Sequence, residues 1–182
     1  MLKISNEALG RLDVETYKQA PKIPLTILLD SVRSMHNVGS VFRTADAYRV
    51  REIILCGTTP VPPHREIQKT ALGATESVDW RYVADIREAL QGLKTSGYTL
   101  IAVEQATVAI TPADIPHLVA NQPSLALIFG HEVMGVRQEA IDLCDYCLEL
   151  PQYGTKHSLN ISVCAGIVIY ECFKHLRSRI GL

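Results

Sequence analysis

The sequence predicts an α/β fold, a mostly parallel sheet with helices on both faces. Short continuous apolar runs of strand length recur along the 182 residues, as expected of strands buried on both faces. Stretches with apolar residues at helical spacing separate them, and this alternation is what a parallel sheet needs. Hydrophobic residues at 47% and charged residues at 20% exclude a disordered chain, a collagen and a coiled-coil rod. A chain of this length buries a core without disulfides or metals and reads as a single domain over residues 1–182, with residues 1–24 as a short N-terminal extension.

The elements follow in order. Asn6–Tyr17 reads as a short helix. Leu25–Leu29 is the first strand. Val38, Val41, Phe42 and Ala45 then repeat at the spacing of one helix face. Glu52–Cys56 is a second strand, and Pro60-Val-Pro-Pro-His64 is the loop after it. Asp79–Val83 is a less apolar strand. Asp85 opens a helix carrying Ile86, Ala89, Leu90 and Leu93 on one stripe and ending at Gly97. Tyr98–Val103, Leu125–Phe129 and Tyr146–Leu150 are further strands, with a helix over Val136–Cys144 between the last two.

The last helix is predicted over Ser158–Ser178. Leu159, Val163, Gly166, Ile167, Tyr170 and Phe173 form one apolar stripe. Ile161, Cys164, Ala165, Val168, Ile169, Cys172 and Leu176 cover the opposite side. A helix apolar on all sides is buried on all sides. In a domain of this size one side is expected to meet a partner subunit, so a homodimer is predicted. No apolar run approaches the roughly 20 residues of a membrane span, and Met1-Leu-Lys-Ile-Ser-Asn-Glu holds no secretory core. A cytoplasmic protein is expected.

The formal charge of -1 is lower than a dedicated nucleic-acid binder would carry. Between Ser31 and Thr70, however, six basic residues (Arg33, Arg43, Arg49, Arg51, Arg65, Lys69) face three acids (Asp46, Glu52, Glu66). Such an excess is either a solvated face or a grip for phosphates. The five cysteines read as free thiols. Cys144-Asp-Tyr-Cys147 is half of a metal site, but no second pair or spaced histidines follow it, so no metal is expected.

Three polar clusters each follow a strand, where open α/β sheets bind ligands. They are Asn37-Val-Gly-Ser-Val-Phe-Arg43, Gly130-His-Glu132-Val-Met-Gly135, and Pro151-Gln-Tyr-Gly154-Thr-Lys-His-Ser158-Leu159-Asn160. Common enzyme templates fail. No Gly-x-Gly-x-x-Gly follows the first strand, no Gly-Lys-Ser/Thr loop exists, and Gly135 stands where a zinc-protease helix places its second histidine.

Together the three clusters resemble the signature motifs of the SpoU (TrmH) family of SPOUT RNA methyltransferases, over about Leu25 to Leu176. The first motif is matched by Asn37, Gly39 and Arg43, and the second by Gly130, Glu132 and Gly135. The third is matched by Pro151, Gly154, Ser158, Leu159 and Asn160. Gln152 and Val136 depart from the residues usual beside them. The resemblance implies a SPOUT methyltransferase domain with a deep trefoil knot in its C-terminal half. It also implies S-adenosylmethionine as cofactor, a ribose 2′-hydroxyl of RNA as acceptor, and a homodimer. Compact relatives of this kind act mostly on tRNA. With only residues 1–24 ahead of the first strand, tRNA is expected over ribosomal RNA. The alternatives are a 23S rRNA 2′-O-methyltransferase and a non-catalytic RNA-binding module of the same fold.

Arg43 breaks the apolar stripe of its helix, so it is expected to point outward. Arginine stays protonated in proteins. Its expected part is to hold a phosphate and orient the ribose hydroxyl, whose proton passes to phosphate or water. Asn37 is expected either to cap the first helix or to hold Arg43. Glu132 is expected to pair with Arg43 or with an amide of the knot. Ser158 and Asn160 open the last helix and complete the expected catalytic set. By resemblance, the cofactor lies on backbone groups near Val103, Gly130, Leu150, Ser158 and Leu159. Arg33, Arg43, Arg65 and Lys69 are the expected RNA contacts.

Overall fold

The computed structural model describes residues 1–5 and 7–182. Six strands, β1 (Ile23–Asp30), β2 (Val50–Cys56), β3 (Trp80–Val83), β4 (Thr99–Val103), β5 (Leu125–Phe129) and β6 (Tyr146–Leu148), form one sheet in the order β3-β2-β1-β5-β4-β6. Every pairing between these strands is parallel. The chain therefore winds outward from β1 through β2 to β3 and then crosses to build the other half. The winding reverses where β1 meets β5, and that boundary opens a crevice beyond the strand ends.

The strands read as apolar runs because both faces are covered. Leu25, Ile27 and Leu29 of β1 point into one core layer, with Ile53, Leu127 and Phe129 beside them. Leu28 points into the other, with Ile54 and Ile128. The first layer is closed by α2 (Met35–Ala47), α3 (Arg65–Ala71), α4 (Ala74–Ser77), α6 (Ile115–Asn121) and α8 (Ile161–Leu176). The second is closed by α5 (Ile86–Thr95) and α7 (Gln138–Ile141). Each fully buried Ile, Leu or Phe contributes roughly 1.5–3 kcal/mol relative to exposure, so the pattern that predicts the sheet also holds it together.

Local signals set the element boundaries. Ser34 caps α2, its hydroxyl oxygen accepting the Asn37 amide at 3.3 Å. Asp85 caps α5 by accepting the Arg87 amide at 2.9 Å. The N-terminal helix is shorter than expected. It is α1 (Val14–Gln19), capped by Asp13 and preceded by a 3-10 turn at Glu7–Leu9; Asn6 lies outside the described residues. The helix expected over Val136–Cys144 shrinks to α7, because Val136 and Arg137 finish the turn after β5. Strand β6 ends at Leu148 rather than Leu150. The last helix begins at Ile161, not Ser158. Asn160 is its cap, its side-chain oxygen accepting the Ser162 amide at 2.9 Å, and Ser158 and Leu159 belong to the loop before it.

Helix α8 separates into the two faces its sequence implies. Ile161, Ala165, Val168, Ile169, Cys172 and Leu176 are buried against the core. Val163 at 51%, Ile167 at 41% and Tyr170 at 46% are exposed. Among the described residues no helix is long and apolar enough to cross a membrane.

Candidate functional site

The site lies at the C-terminal ends of β1, β4, β5 and β6. It is built around the Glu132 carboxylate, in the turn after β5. One oxygen accepts the Arg33 amide at 3.0 Å. The other accepts the Ser34 amide at 2.9 Å and the Asn37 side-chain amide at 3.0 Å. Asn37 is itself an acceptor. Its Oδ1 takes a hydrogen bond from the Asn160 Nδ2 at 3.1 Å. A single polar chain thus runs from the turn after β5, through the start of α2, to the start of α8. It joins all three sequence clusters.

Burial alone would raise the Glu132 pKa, but the Arg33 and Ser34 amides and the Asn37 amide outweigh it. The carboxyl is held below its ordinary value. A carboxylate at the start of a helix also suits the helix dipole. Of the alternatives expected, pairing with Arg43 falls away for Glu132 and capping falls away for Asn37. Glu132 is partnered by these amides, so Arg43 is not its ion pair. Asn37 does not cap α2, because Ser34 does; Asn37 instead links Glu132 to Asn160.

The turn carrying Glu132 is narrow. His131 and Gly135 exchange backbone hydrogen bonds at 3.1 and 2.8 Å. A Cβ on Gly130 would come within 2.2 Å of the Gly135 carbonyl. Gly135 adopts φ +68°, and a Cβ there would lie 2.1 Å from a Glu104 carboxylate oxygen. Both glycines of the second cluster therefore serve the turn's packing. The turn is tied to β1 a second time, since Arg137 donates two hydrogen bonds to the buried Asp30, at 3.0 and 3.2 Å.

Arg43 lies six residues beyond Asn37 on α2, about 9 Å along the axis and short of two full turns. It is exposed. It borders a groove between α2 and α8 with Ala47, Tyr48, Val163, Ile167 and Tyr170. Among the described residues its guanidinium has no carboxylate or hydrogen-bond partner within the chain, so it is available to an external anion. Arg33 and Arg65 are also exposed. Lys69 is engaged, its ammonium 2.7 Å from Glu66, which also meets His36 at 3.1 Å.

Val103, Gly130 and Leu150 come together at or just beyond the ends of β4, β5 and β6, because β4 pairs with both neighbours. Ser158 and Leu159 are exposed in the third loop. Among the described residues no backbone amide from Gln152 to Leu159 is hydrogen bonded within the chain. Gly154 has open space around it. Free amides in this loop, with the apolar Leu159 in it and Val103 and Leu150 at the strand ends, fit a ligand with a flat ring and hydrogen-bond acceptors, as adenine is. Among the described residues no group of three or more His, Cys, Asp or Glu is placed to hold a metal. Cys147 is buried and Cys144 half buried, and burial pushes the Cys144 thiol up to about 12.

Sequence reading misses Glu104, Gln105, Asp30 and Arg137. Glu104 and Gln105 stand directly after β4, the same place relative to a strand as the three clusters, and that position is a usable signal. Asp30, the one acid closing an otherwise apolar strand, is another.

A parallel doubly wound sheet whose strand-end loops are joined by Asn37, Glu132 and Asn160 defines an α/β domain with a candidate ligand site at its strand ends. The chain belongs to the SpoU rRNA Methylase family, whose model matches residues 24–170. It is 31% identical over 157 residues to the 23S rRNA (guanosine-2'-O-)-methyltransferase RlmB of Nitrosomonas europaea, covering 86% of this chain and 58% of that protein. Among solved structures, it is similar to the A. aeolicus TrmH/SpoU tRNA modifying enzyme, with a TM-score of 0.77 and 24% identity over 91% of this chain and 81% of that one. It is also similar to the AdoMet-bound rRNA methyltransferase from Sinorhizobium meliloti, with a TM-score of 0.76 and 25% identity over 86% of this chain and 58% of that one. The chain spans 58% to 65% of the length of the curated relatives it matches.

Proposed function

We propose that this chain is an S-adenosylmethionine-dependent RNA methyltransferase that modifies a ribose 2′-hydroxyl, acting as a single SPOUT domain over residues 1–182. The observation that carries the reading is the hydrogen-bonded chain Glu132–Asn37–Asn160. It fixes the three signature segments of a SpoU family member around one strand-end site. Backbone groups at Val103, Gly130, Leu150, Ser158 and Leu159 would hold the cofactor. When bound, it supplies a methyl group made electrophilic by a sulfonium.

The residues of the chain position rather than activate. Arg43 holds an RNA phosphate and orients the ribose hydroxyl, whose proton leaves to phosphate or water. Asn37 and Glu132 fix the start of α2 and so the helix that presents Arg43. Asn160 fixes the end of the cofactor loop, with Ser158 beside the ligand. Arg33, Arg65 and Lys69 supply the surrounding phosphate contacts. The C-terminal trefoil knot belongs to this reading. Support comes from the return of the chain from the edge strand β6 to α8, which packs beside α2 and β1.

A homodimer completes the reading. The exposed side of α8 and the groove beside Arg43 form one apolar surface, the kind a second copy covers. The enzyme would work in the cytoplasm with its RNA. tRNA is the preferred substrate; ribosomal RNA is the second reading, favoured by the likeness to the Nitrosomonas europaea enzyme. The test is paired. Calorimetry measures S-adenosylmethionine binding, and 2′-O-methylation is mapped in tRNA and rRNA with and without the gene. Loss of one tRNA ribose methyl on deletion is expected. Unchanged methylation in both RNAs would overturn the reading.

A further inference from the structure

We infer that Glu104 and Gln105 are positioning residues that clasp the second and third signature loops together and so set cofactor affinity. This rests on the reading of that edge as the cofactor site. The pair follows β4 directly, between the two loops. One Glu104 carboxylate oxygen accepts the Val136 amide at 2.9 Å, at the end of the second loop. The other accepts the Gln105 amide at 2.8 Å, which turns the chain so that the Gln105 side chain faces the third loop. There the Gln105 Nε2 donates to the His157 carbonyl at 2.7 Å.

The clasp is built on both sides. Gly135 leaves the space that the Glu104 carboxylate fills. The Glu104 backbone is itself fixed. Its amide donates to the Leu148 carbonyl at 3.1 Å, and its carbonyl accepts from the Cys147 thiol at 3.2 Å. On the other side, the third loop makes no backbone hydrogen bonds of its own between Gln152 and Leu159. The Gln105–His157 bond is therefore the one hydrogen bond that ties the stretch from Gln152 to Leu159 to the rest of the fold among the described residues. A loop held at one point samples many conformations, and ligand affinity falls by the fraction of time spent in the wrong ones.

The test uses the full chain and two variants, Gln105→Ala and Gln105→Glu. The second keeps the length but faces the His157 carbonyl with a carboxylate. Gln105 is exposed, so neither change threatens the core. S-adenosylmethionine affinity is expected to fall by about five- to tenfold in Gln105→Ala, the scale of one hydrogen bond, and further in Gln105→Glu. The KM for cofactor should rise in step. Turnover at saturating cofactor and the KM for RNA should stay within about twofold of wild type, a split that general loosening of the fold would not give. Without cofactor, trypsin should cut after Lys156 faster in both variants. Wild-type affinity and wild-type cleavage would overturn the inference, as would lost turnover with affinity intact. A wild-type chain that bound no S-adenosylmethionine would instead overturn the reading of the site; the trypsin rates would still decide whether Gln105 holds the loop.

Discussion

The side chains of Asn37 and Glu132 meet at 3.0 Å across 95 positions of sequence. Neither is an isolated contact. Glu132 also takes two backbone amides, and Asn37 passes the connection on to Asn160. Removing Glu132 leaves three donors without their acceptor. Glu132→Ala should therefore lower stability by about 1–2 kcal/mol, the scale of part-buried hydrogen bonds to a charged group. Asn37→Ala should cost less. In a double-mutant cycle followed by urea unfolding, the two changes should be non-additive by on the order of 1 kcal/mol. Additive effects would show that the contact carries no coupling.

The same carboxylate sets a pH dependence. Its pKa is lowered in the folded chain, so it contributes stability above the unfolded carboxyl value, about 4.3. That contribution fades as pH falls through the lower folded value. The wild type should lose stability between about pH 5 and 3 more steeply than Glu132→Gln, whose side chain does not titrate. Parallel curves for thermal unfolding across that window would contradict the assignment.

On the proposed function, Arg43 separates chemistry from cofactor binding. Arg43→Ala should keep the fold and bind S-adenosylmethionine nearly normally, because the cofactor edge we propose lies at β4, β5 and β6. Single-turnover methylation should drop by on the order of a hundredfold, the scale of a lost electrostatic group. Arg43→Lys should be almost as poor, since an ammonium lacks the planar two-pronged contact. Wild-type methylation by Arg43→Ala would make it a surface arginine.

Two isoleucines of α8 offer a matched test of assembly. Ile167 is 41% exposed and Ile169 is 0% exposed. Ile167→Asp should stay folded by circular dichroism and run as a monomer in light scattering at micromolar concentration. Ile169→Asp should unfold, because it places an unpaired charge in the core. A wild type that is already monomeric at that concentration would remove the case for a dimer.

The basic residues around α2 and α3 should give RNA binding a salt dependence. Arg33→Ala and Arg65→Ala should each reduce the slope of log affinity against log salt by about one while leaving cofactor affinity alone. Lys69 must first leave Glu66, so its loss should matter less. Unchanged slopes in both arginine variants would place the RNA surface elsewhere.

The strands and the buried face of α8 are legible in the sequence because both depend on runs of apolar residues, which the chain displays directly. The three polar clusters are legible because each follows such a run. Helices α3, α4 and α6 are not. They are only 7, 4 and 7 residues long, too short to show a period. The start of α8 is misplaced because Ser158 and Asn160 are both good caps, and only the three-dimensional partner of Asn160 decides between them. The partners of Glu132 are invisible for the same reason. Two of them are backbone amides, which carry no mark in a sequence.

Glu132 has a consequence for what the crevice admits. In doubly wound domains that bind dinucleotides, the helix start beside the first strand receives a pyrophosphate. Here the amides of Arg33 and Ser34 are already occupied by the chain's own carboxylate. Abundant cellular nucleotides such as ATP or NAD would have to displace a covalently tethered anion to dock there, and would meet its charge if they did not. The domain carries a built-in competitor against the metabolites that this architecture otherwise attracts.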